Sequence, residues 1–235
     1  MGVIESLLDA VYPTTCPVCD RIEKPAKICD KCRKKLHYIG QQRCLKCGKA
    51  MGDAVTQYCY DCERKKHIFE QGAAVWSYSE DIKDSIYRFK YKNHRIYADV
   101  YGDEIKNSIG ALIRNWNADA VIPVPIHKRK RQLRGYNQAE LIARAISERC
   151  EIALDCDILS RVVFTKPQKE LDDGGRLKNL ENAFHIEKNV VKYSKVILVD
   201  DIYTTGATID ACASVLLAAG VKQVYYVALC IGRGF

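Results

Sequence analysis

The sequence predicts an α/β protein, a doubly wound and mainly parallel sheet, behind a small N-terminal module folded around metal. Three observations carry that expectation. Short β-branched runs such as Val196-Ile197-Leu198-Val199 alternate with segments of helical spacing, as in a parallel sheet with helices packed on its faces. That run ends in two carboxylates, Asp200 and Asp201, then a hydroxyl- and glycine-containing turn and a helical segment. Ahead of the alternating region, eight of the twelve cysteines fall into four Cys-x-x-Cys pairs.

Composition sets the outer bounds. A chain of 235 residues is long enough for one α/β domain plus a small module, and 48% hydrophobic with 28% charged residues is the balance of a globular protein. No apolar run approaches the roughly 18 residues of a membrane span. Residues 1–12 carry Glu5 and Asp9 and no Lys or Arg, which argues against a signal or transit peptide. Val3, Ile4, Leu7, Leu8 and Val11 instead mark one face of a short amphipathic helix. The net charge of +8 is compatible with anionic partners and requires none.

The first expected domain is residues 1–68. A Cys-x-x-Cys turn presents two thiolates to one ion, and two such turns complete a tetrahedron. Nine residues separate the first two pairs and eleven the last two, spacing that suits two consecutive zinc ribbons. Sequential pairing gives Cys16, Cys19, Cys29 and Cys32 one zinc and Cys44, Cys47, Cys59 and Cys62 the other; a cross-braced pairing satisfies the same spacing. Disulfides are disfavoured in a reducing compartment, and an iron–sulfur cluster is the remaining alternative. Gly48 suits a knuckle turn with positive φ, and Asp20 and Asp30 are expected in equivalent turns. Both zincs are expected to be structural, with four protein ligands each. Thirteen Lys and Arg against nine acids over residues 1–70 leave a surplus that two four-thiolate zinc sites would cancel. Cys150, Cys156, Cys212 and Cys230 are single and read as small core residues.

The second expected domain is residues 69–235. A strand is expected at 69–78, helices at 79–92 and 97–114, a short buried strand at 120–124 and a helix at 135–150. A strand at 157–163, the strand at 196–199, a helix at 209–219 and a strand at 224–228 complete the alternation. His127 to Arg134 packs five permanent cations into eight positions and follows the strand end Val121-Ile122-Pro123-Val124-Pro125. Residues 166–179 are polar, glycine-containing and flanked by strands, the composition of a lid.

The chemistry concentrates after Val199. A loop that leaves a strand and opens a helix aims backbone N–H groups and the helix dipole at an anion. Thr204, Thr205 and Thr208 add hydroxyl donors, and Gly206 lets the backbone approach closely. Asp200 and Asp201 would repel phosphate, so they suit vicinal hydroxyls or Mg²⁺. A ribose 5-phosphate offers both requirements together. No Gly-x-x-x-x-Gly-Lys-Ser/Thr run is present, which argues against a P-loop nucleoside triphosphatase.

Val196 to Thr208 resembles the phosphoribosyl-pyrophosphate (PRPP) loop of type I phosphoribosyltransferases. The whole chain resembles the competence protein F (ComF) family. That wider likeness rests on the paired cysteines, Lys90-Tyr91, Pro123-Val124-Pro125 with His127, and Arg134-Gly135-Tyr136-Asn137-Gln138. It continues through Gln168, Arg176, Asn179 and Ala183-Phe184. The resemblance implies a type I phosphoribosyltransferase fold. It implies that Asp200 and Asp201 hold the ribose hydroxyls and that Thr204, Thr205, Gly206, Ala207 and Thr208 hold the 5′-phosphate. Pro125, His127, Arg134 and Lys90 would face the pyrophosphate, and Arg176 would belong to the lid. Asp200, Asp201, Arg134 and Arg176 are the expected catalytic residues, with Mg²⁺ accompanying PRPP. Family membership further implies a role in natural transformation, with single-stranded DNA and other competence proteins as partners. Four Cys-x-x-Cys pairs depart from members that keep a single such site. Three functions stay open: a transferase of unknown acceptor, a PRPP-binding adaptor without turnover, and a zinc-ribbon protein that binds single-stranded DNA.

Overall fold

The structure, a computed structural model, describes residues 14–52, 55–162, 183–187 and 192–232. The expected helix at 1–12 and the lid at 166–179, Arg176 included, lie outside the described residues. Among the described residues the central sheet has five strands in the order β1-β7-β6-β2-β3, every neighbouring pair parallel. These are β1 (Gly72–Ser77), β2 (Ala120–Pro123), β3 (Ala153–Leu154), β6 (Lys195–Tyr203) and β7 (Gln223–Ile231). A second sheet is the antiparallel pair β4 (Leu159–Arg161) and β5 (Phe184–Ile186). The strand expected at 157–163 therefore belongs to this pair and not to the parallel sheet.

Helices cover both faces. One face of the sheet, through Ala73, Val75, Val121, Ile197, Val199, Val227 and Leu229, packs on helices α3 (Glu80–Tyr91), α4 (Tyr97–Asn115) and α6 (Gln138–Cys150). The other, through Ala74, Ile122, Val196, Leu198 and Ala228, packs on α7 (Ala207–Ala218) and the β4–β5 pair. Alternate residues of β6 enter opposite clusters, as the two-residue period of a strand requires. Both faces are buried, which is why the strands read as continuous apolar runs.

The basic run forms a helix of its own, α5 (Lys128–Arg134), that ends on Gly135 in the left-handed region. The helix expected from Gly135 instead begins at Gln138, with the Asn137 side chain accepting from the Ala139 N–H as its cap. A glycine with positive φ is a stop signal, and here it ends a helix in the basic run that the sequence reading treated only as a run of charge.

The cysteine-rich region folds into two knuckle pairs with a shared pattern. The Cys16 N–H donates to the Arg21 carbonyl and the Cys44 N–H to that of Lys49, each at 2.8 Å. Asp20 and Gly48 close the turns at φ 60° and 72°. Asp30 does not: it opens the short helix α1 (Asp30–Arg33), as Tyr60 opens α2 (Tyr60–Arg64). The first ribbon contributes Cys16, Ile28, Cys32 and Leu36 to the core on the α3–α4 face, and the second contributes Cys44, Cys47 and Cys59 to the α7 face. Between them His37–Ile39 runs along the free edge of β1. The Ile39 N–H donates to the Val75 carbonyl and the Ser77 N–H to that of His37, both at 2.9 Å. The double ribbon thus straddles a sheet edge that would otherwise present unpaired backbone groups.

Candidate ligand cleft and zinc centres

The eight paired cysteines gather into two groups in sequential order. Sulfurs of Cys16, Cys19, Cys29 and Cys32 lie within 4.8 Å of one another, as do those of Cys44, Cys47, Cys59 and Cys62. Four thiolates at the usual Zn–S length of about 2.3 Å stand about 3.8 Å apart in a tetrahedron. Cys19 and Cys29 are separated by 3.8 Å and Cys47 and Cys59 by 3.6 Å, so both sets fit zinc. The second pair of each ribbon is tied to the first through a sulfur: the Cys29 N–H faces Cys16 Sγ at 3.4 Å and the Cys59 N–H faces Cys44 Sγ at 3.3 Å. Such N–H···S contacts orient and stabilise thiolate ligands. None of the cysteines is in a disulfide.

A cleft of about 330 Å³ opens at the C-terminal ends of β6 and β2, beside the N-terminus of α7. Strand β6 runs further than its apolar core, and carries Asp200 and Asp201 in its last turns of pleat. Adjacent strand residues point to opposite faces, so the two acids approach the cleft from either side of the sheet. Asp201 receives Lys90 Nζ at 2.9 Å. Burial alone would lower the Lys90 pKa, but the neighbouring carboxylates of Asp201 and Asp200 outweigh it and hold the ammonium charged. Burial first, and the Asp201 charge second, push the Asp200 carboxyl up to about 7.

Lys90 stands at the end of α3 because three successive residues there face three ways, about 100° apart. Arg88 donates to the carbonyls of Pro17 and Val18 in the first ribbon, at 2.9 and 2.7 Å. Phe89 is in the core, and Lys90 faces the cleft. Arg134 ends α5 and is fixed by Gln138 Oε1 at 2.8 Å, by the Tyr91 hydroxyl at 2.9 Å and by the Tyr91 ring. Asn137 donates to the Val124 carbonyl at 3.0 Å, locking the loop after β2 to the start of α6.

The expected residues divide as follows. Lys90, Pro125, Arg134, Asp200, Asp201, Thr204 and Thr208 line the cleft together. Thr205 and Gly206 lie in the turn between β6 and α7, with Gly206 at φ 79° as the helix N-cap, and Ala207 opens α7. His127 lies off the cleft and caps α5, its Nδ1 accepting from the Arg129 N–H at 3.2 Å. Two cations join the cleft that sequence reasoning did not single out: Lys130, read there as one member of a charge run, and Arg161 at the end of β4. Burial, then repulsion from Arg161, Arg134 and Lys90, lowers the Lys130 pKa. Burial lowers that of Arg161, against the favourable charge of Asp200. The sequence signal for Arg161 is its place at a strand end entering the long polar segment. Among the described residues no helix is long and apolar enough to cross a membrane.

Residues 7–63 match the double zinc ribbon domain family. Among curated proteins, competence protein F of Haemophilus influenzae is 29% identical over 202 residues, covering 84% of this chain and 87% of its own. Competence protein ComFC of Bacillus subtilis is 28% identical over 200 residues, covering 83% and 79%. The DNA utilization protein YhgH of Escherichia coli is 25% identical over 219 residues, covering 92% and 89%. Among solved structures, a purine phosphoribosyltransferase from Pyrococcus horikoshii overlays with a TM-score of 0.36 and 15% identity, covering 56% of this chain and 73% of its own. A hypoxanthine phosphoribosyltransferase from Staphylococcus aureus gives 0.36 and 15%, covering 57% and 64%.

The parallel sheet order, with helices on both faces and an acid pair and Thr–Thr–Gly turn that open a helix at the end of its middle strand, makes this a doubly wound α/β domain joined to a double zinc ribbon. Over most of its length the chain is a homologue of competence protein F and ComFC.

Proposed function

We propose that this protein binds PRPP with Mg²⁺ in the cleft and acts, in the cytoplasm, in the uptake and handling of transforming DNA. The observation that carries the reading is the meeting of an acid pair, a helix N-terminal hydroxyl loop and four cations in one cleft. In this reading Asp200 and Asp201 hold the ribose hydroxyls, and Thr204 to Thr208 hold the 5′-phosphate. Lys90, Arg134, Lys130 and Arg161 face the pyrophosphate, with Pro125 shaping the wall and Arg176 belonging to the lid. His127 contributes by capping the helix that carries Lys130 and Arg134. Residues 1–68 serve as the ribbon module and 69–235 as the transferase-like domain. Zinc in both cysteine sets is structural, since all four positions of each are protein sulfurs.

Departure of pyrophosphate from C1 leaves positive charge on the ribose ring, as in glycoside hydrolysis. The cations oppose the charge that builds on the leaving group, and a closed cleft excludes water from C1. Mg²⁺, when bound, supplies further neutralisation of the pyrophosphate. The competence role is drawn from the printed names of the relatives. Titration calorimetry with Mg²⁺ and PRPP tests the cleft. The parent protein is expected to bind, and Asp200→Asn/Asp201→Asn to lose at least tenfold in affinity; binding unchanged in the double variant refutes the assignment. Pyrophosphate release upon addition of bases then separates a transferase from an adaptor.

A second reading has its own observation. Tyr87 and Tyr91 are more than half exposed with ring centroids 5.1 Å apart, beside basic α5. Exposed rings next to Lys and Arg suit single-stranded DNA. An affinity for oligonucleotides that falls steeply with salt and ignores PRPP supports it.

A further inference from the structure

The segment that leaves the second ribbon does more than connect it to β1. Lys65 caps α2, the helix that contains Cys62, and donates from Nζ to the Thr205 carbonyl at 3.2 Å. Two residues on, the His67 side chain is 2% exposed. Its Nδ1 is 2.7 Å from Asp210 Oδ2 and its Nε2 is 3.3 Å from the Tyr203 hydroxyl. The carboxylate can only accept, so Nδ1–H donates to it, and the ring's other nitrogen is hydrogen-bonded to the phenol. The Ile68 N–H donates to the other oxygen of Asp210 at 3.1 Å. These partners are the last residue of β6 and the loop and helix that follow it.

The contact is close and built for a glycine. A Cβ at Gly206 would come within 2.5 Å of the Tyr203 hydroxyl and 2.7 Å of His67 Cε1. The imidazole is stacked on Phe69, with centroids 4.9 Å apart. Tyr203 in turn lies flat on Tyr226, centroids 4.6 Å apart and planes within 3°, and the Tyr226 hydroxyl donates to the Cys47 carbonyl at 2.6 Å. The back of the loop is therefore bolted to the second ribbon at two points. Asp210 matters electrostatically as well. An acid in the first turn of a helix competes with any anion for that N-terminus. Here both of its oxygens are turned to the ribbon side and occupied, which leaves the loop side to a ligand.

We propose that Lys65 and His67 are positioning residues that hold Thr204–Thr208 in the shape that receives a phosphate, making the ribbon's exit segment part of the ligand site. The inference rests on the reading of this loop as a phosphate loop. The test is amide hydrogen exchange over residues 204–210 in the zinc-loaded full chain, alongside calorimetry with Mg²⁺ and PRPP. In His67→Ala, exchange there is expected to quicken at least tenfold and PRPP affinity to fall at least fivefold, with zinc content and melting temperature kept. His67→Gln is expected to restore both, because its amide donates to Asp210 and its oxygen accepts from Tyr203. Exchange unchanged in His67→Ala, or equally fast in His67→Gln, overturns the proposal. Should His67→Ala lose zinc, Lys65→Met decides: faster exchange confined to 204–210 supports the strut, and unchanged exchange refutes it. If the parent protein binds no PRPP, the functional reading falls while the exchange measurement still decides the strut.

Discussion

At the scale of single residues, the two acids that end β6 are neighbours in sequence with different surroundings. Asp201 is paired with Lys90, whereas Asp200 is desolvated beside another carboxylate and titrates near 7. An acid whose pKa is higher folded than unfolded makes the folded state bind more protons between the two values, so stability falls as pH rises from about 4 to about 7. Replacing it by a neutral isostere removes that penalty. Asp200→Asn, which keeps an oxygen for the Asp201 N–H, is expected to stabilise the ligand-free protein by on the order of 1–3 kcal/mol at about pH 8. The gain should shrink steadily towards about pH 5, and denaturant melts at several pH values measure it. A gain that is flat with pH refutes the assigned titration. Stability given up for a poised charge is a common mark of a binding site. The acids and threonines were legible in sequence because their chemistry is contiguous. Arg161 and His67 were not, since each comes to the site from a segment far away in the chain, and a strand end before a polar segment is the one local sign either carries.

At the scale of elements, α3 links the first ribbon to the cleft by ending in Arg88, Phe89 and Lys90. Its last carbonyls have no partners within the helix, the usual condition of a helix C-terminus. Two side chains, one just before α6 and one at its first residue, supply partners: the Tyr136 hydroxyl donates to the Phe89 carbonyl, and Gln138 Nε2 to that of Lys90 at 3.4 Å. Tyr136→Phe leaves a buried carbonyl unsatisfied and is expected to cost about 1–3 kcal/mol. The denaturant midpoint should drop with an unchanged m-value; a loss below about 0.5 kcal/mol would show that the bond contributes little net stability. Element existence was largely readable, because apolar runs and helical spacing are local. What failed was punctuation and partnership. Gly135 looked like a helix start and is a helix stop, and a three-residue strand carries no sign of whether its neighbour is parallel or antiparallel.

At the scale of the whole molecule, the division at residue 68 cuts across shared cores. Cys16, Ile28, Cys32 and Leu36 lie in one hydrophobic cluster with the sheet, and Cys44, Cys47 and Cys59 in the other. Between them, His37–Ile39 bonds to the edge of β1, a strand whose Gly72 to Trp76 are all buried. Removing the ribbons would expose apolar surface on both faces of the sheet and, in addition, a flat unpaired edge, the usual template for aggregation. Because few large side chains fill the space between the ligands, zinc held by the two cysteine sets would supply much of the ribbons' folding energy. Residues 69–235 expressed alone are therefore expected to be insoluble or to bind a hydrophobic dye. Slow chelation of zinc from the full chain should lower the melting temperature of the entire molecule in one transition, with two zinc ions released per chain as counted by atomic spectroscopy. A soluble, monomeric fragment 69–235 that melts cooperatively, or a chelated chain whose main transition stays in place, would mean that the sheet closes its own edge and that the ribbons are appended to a self-sufficient domain.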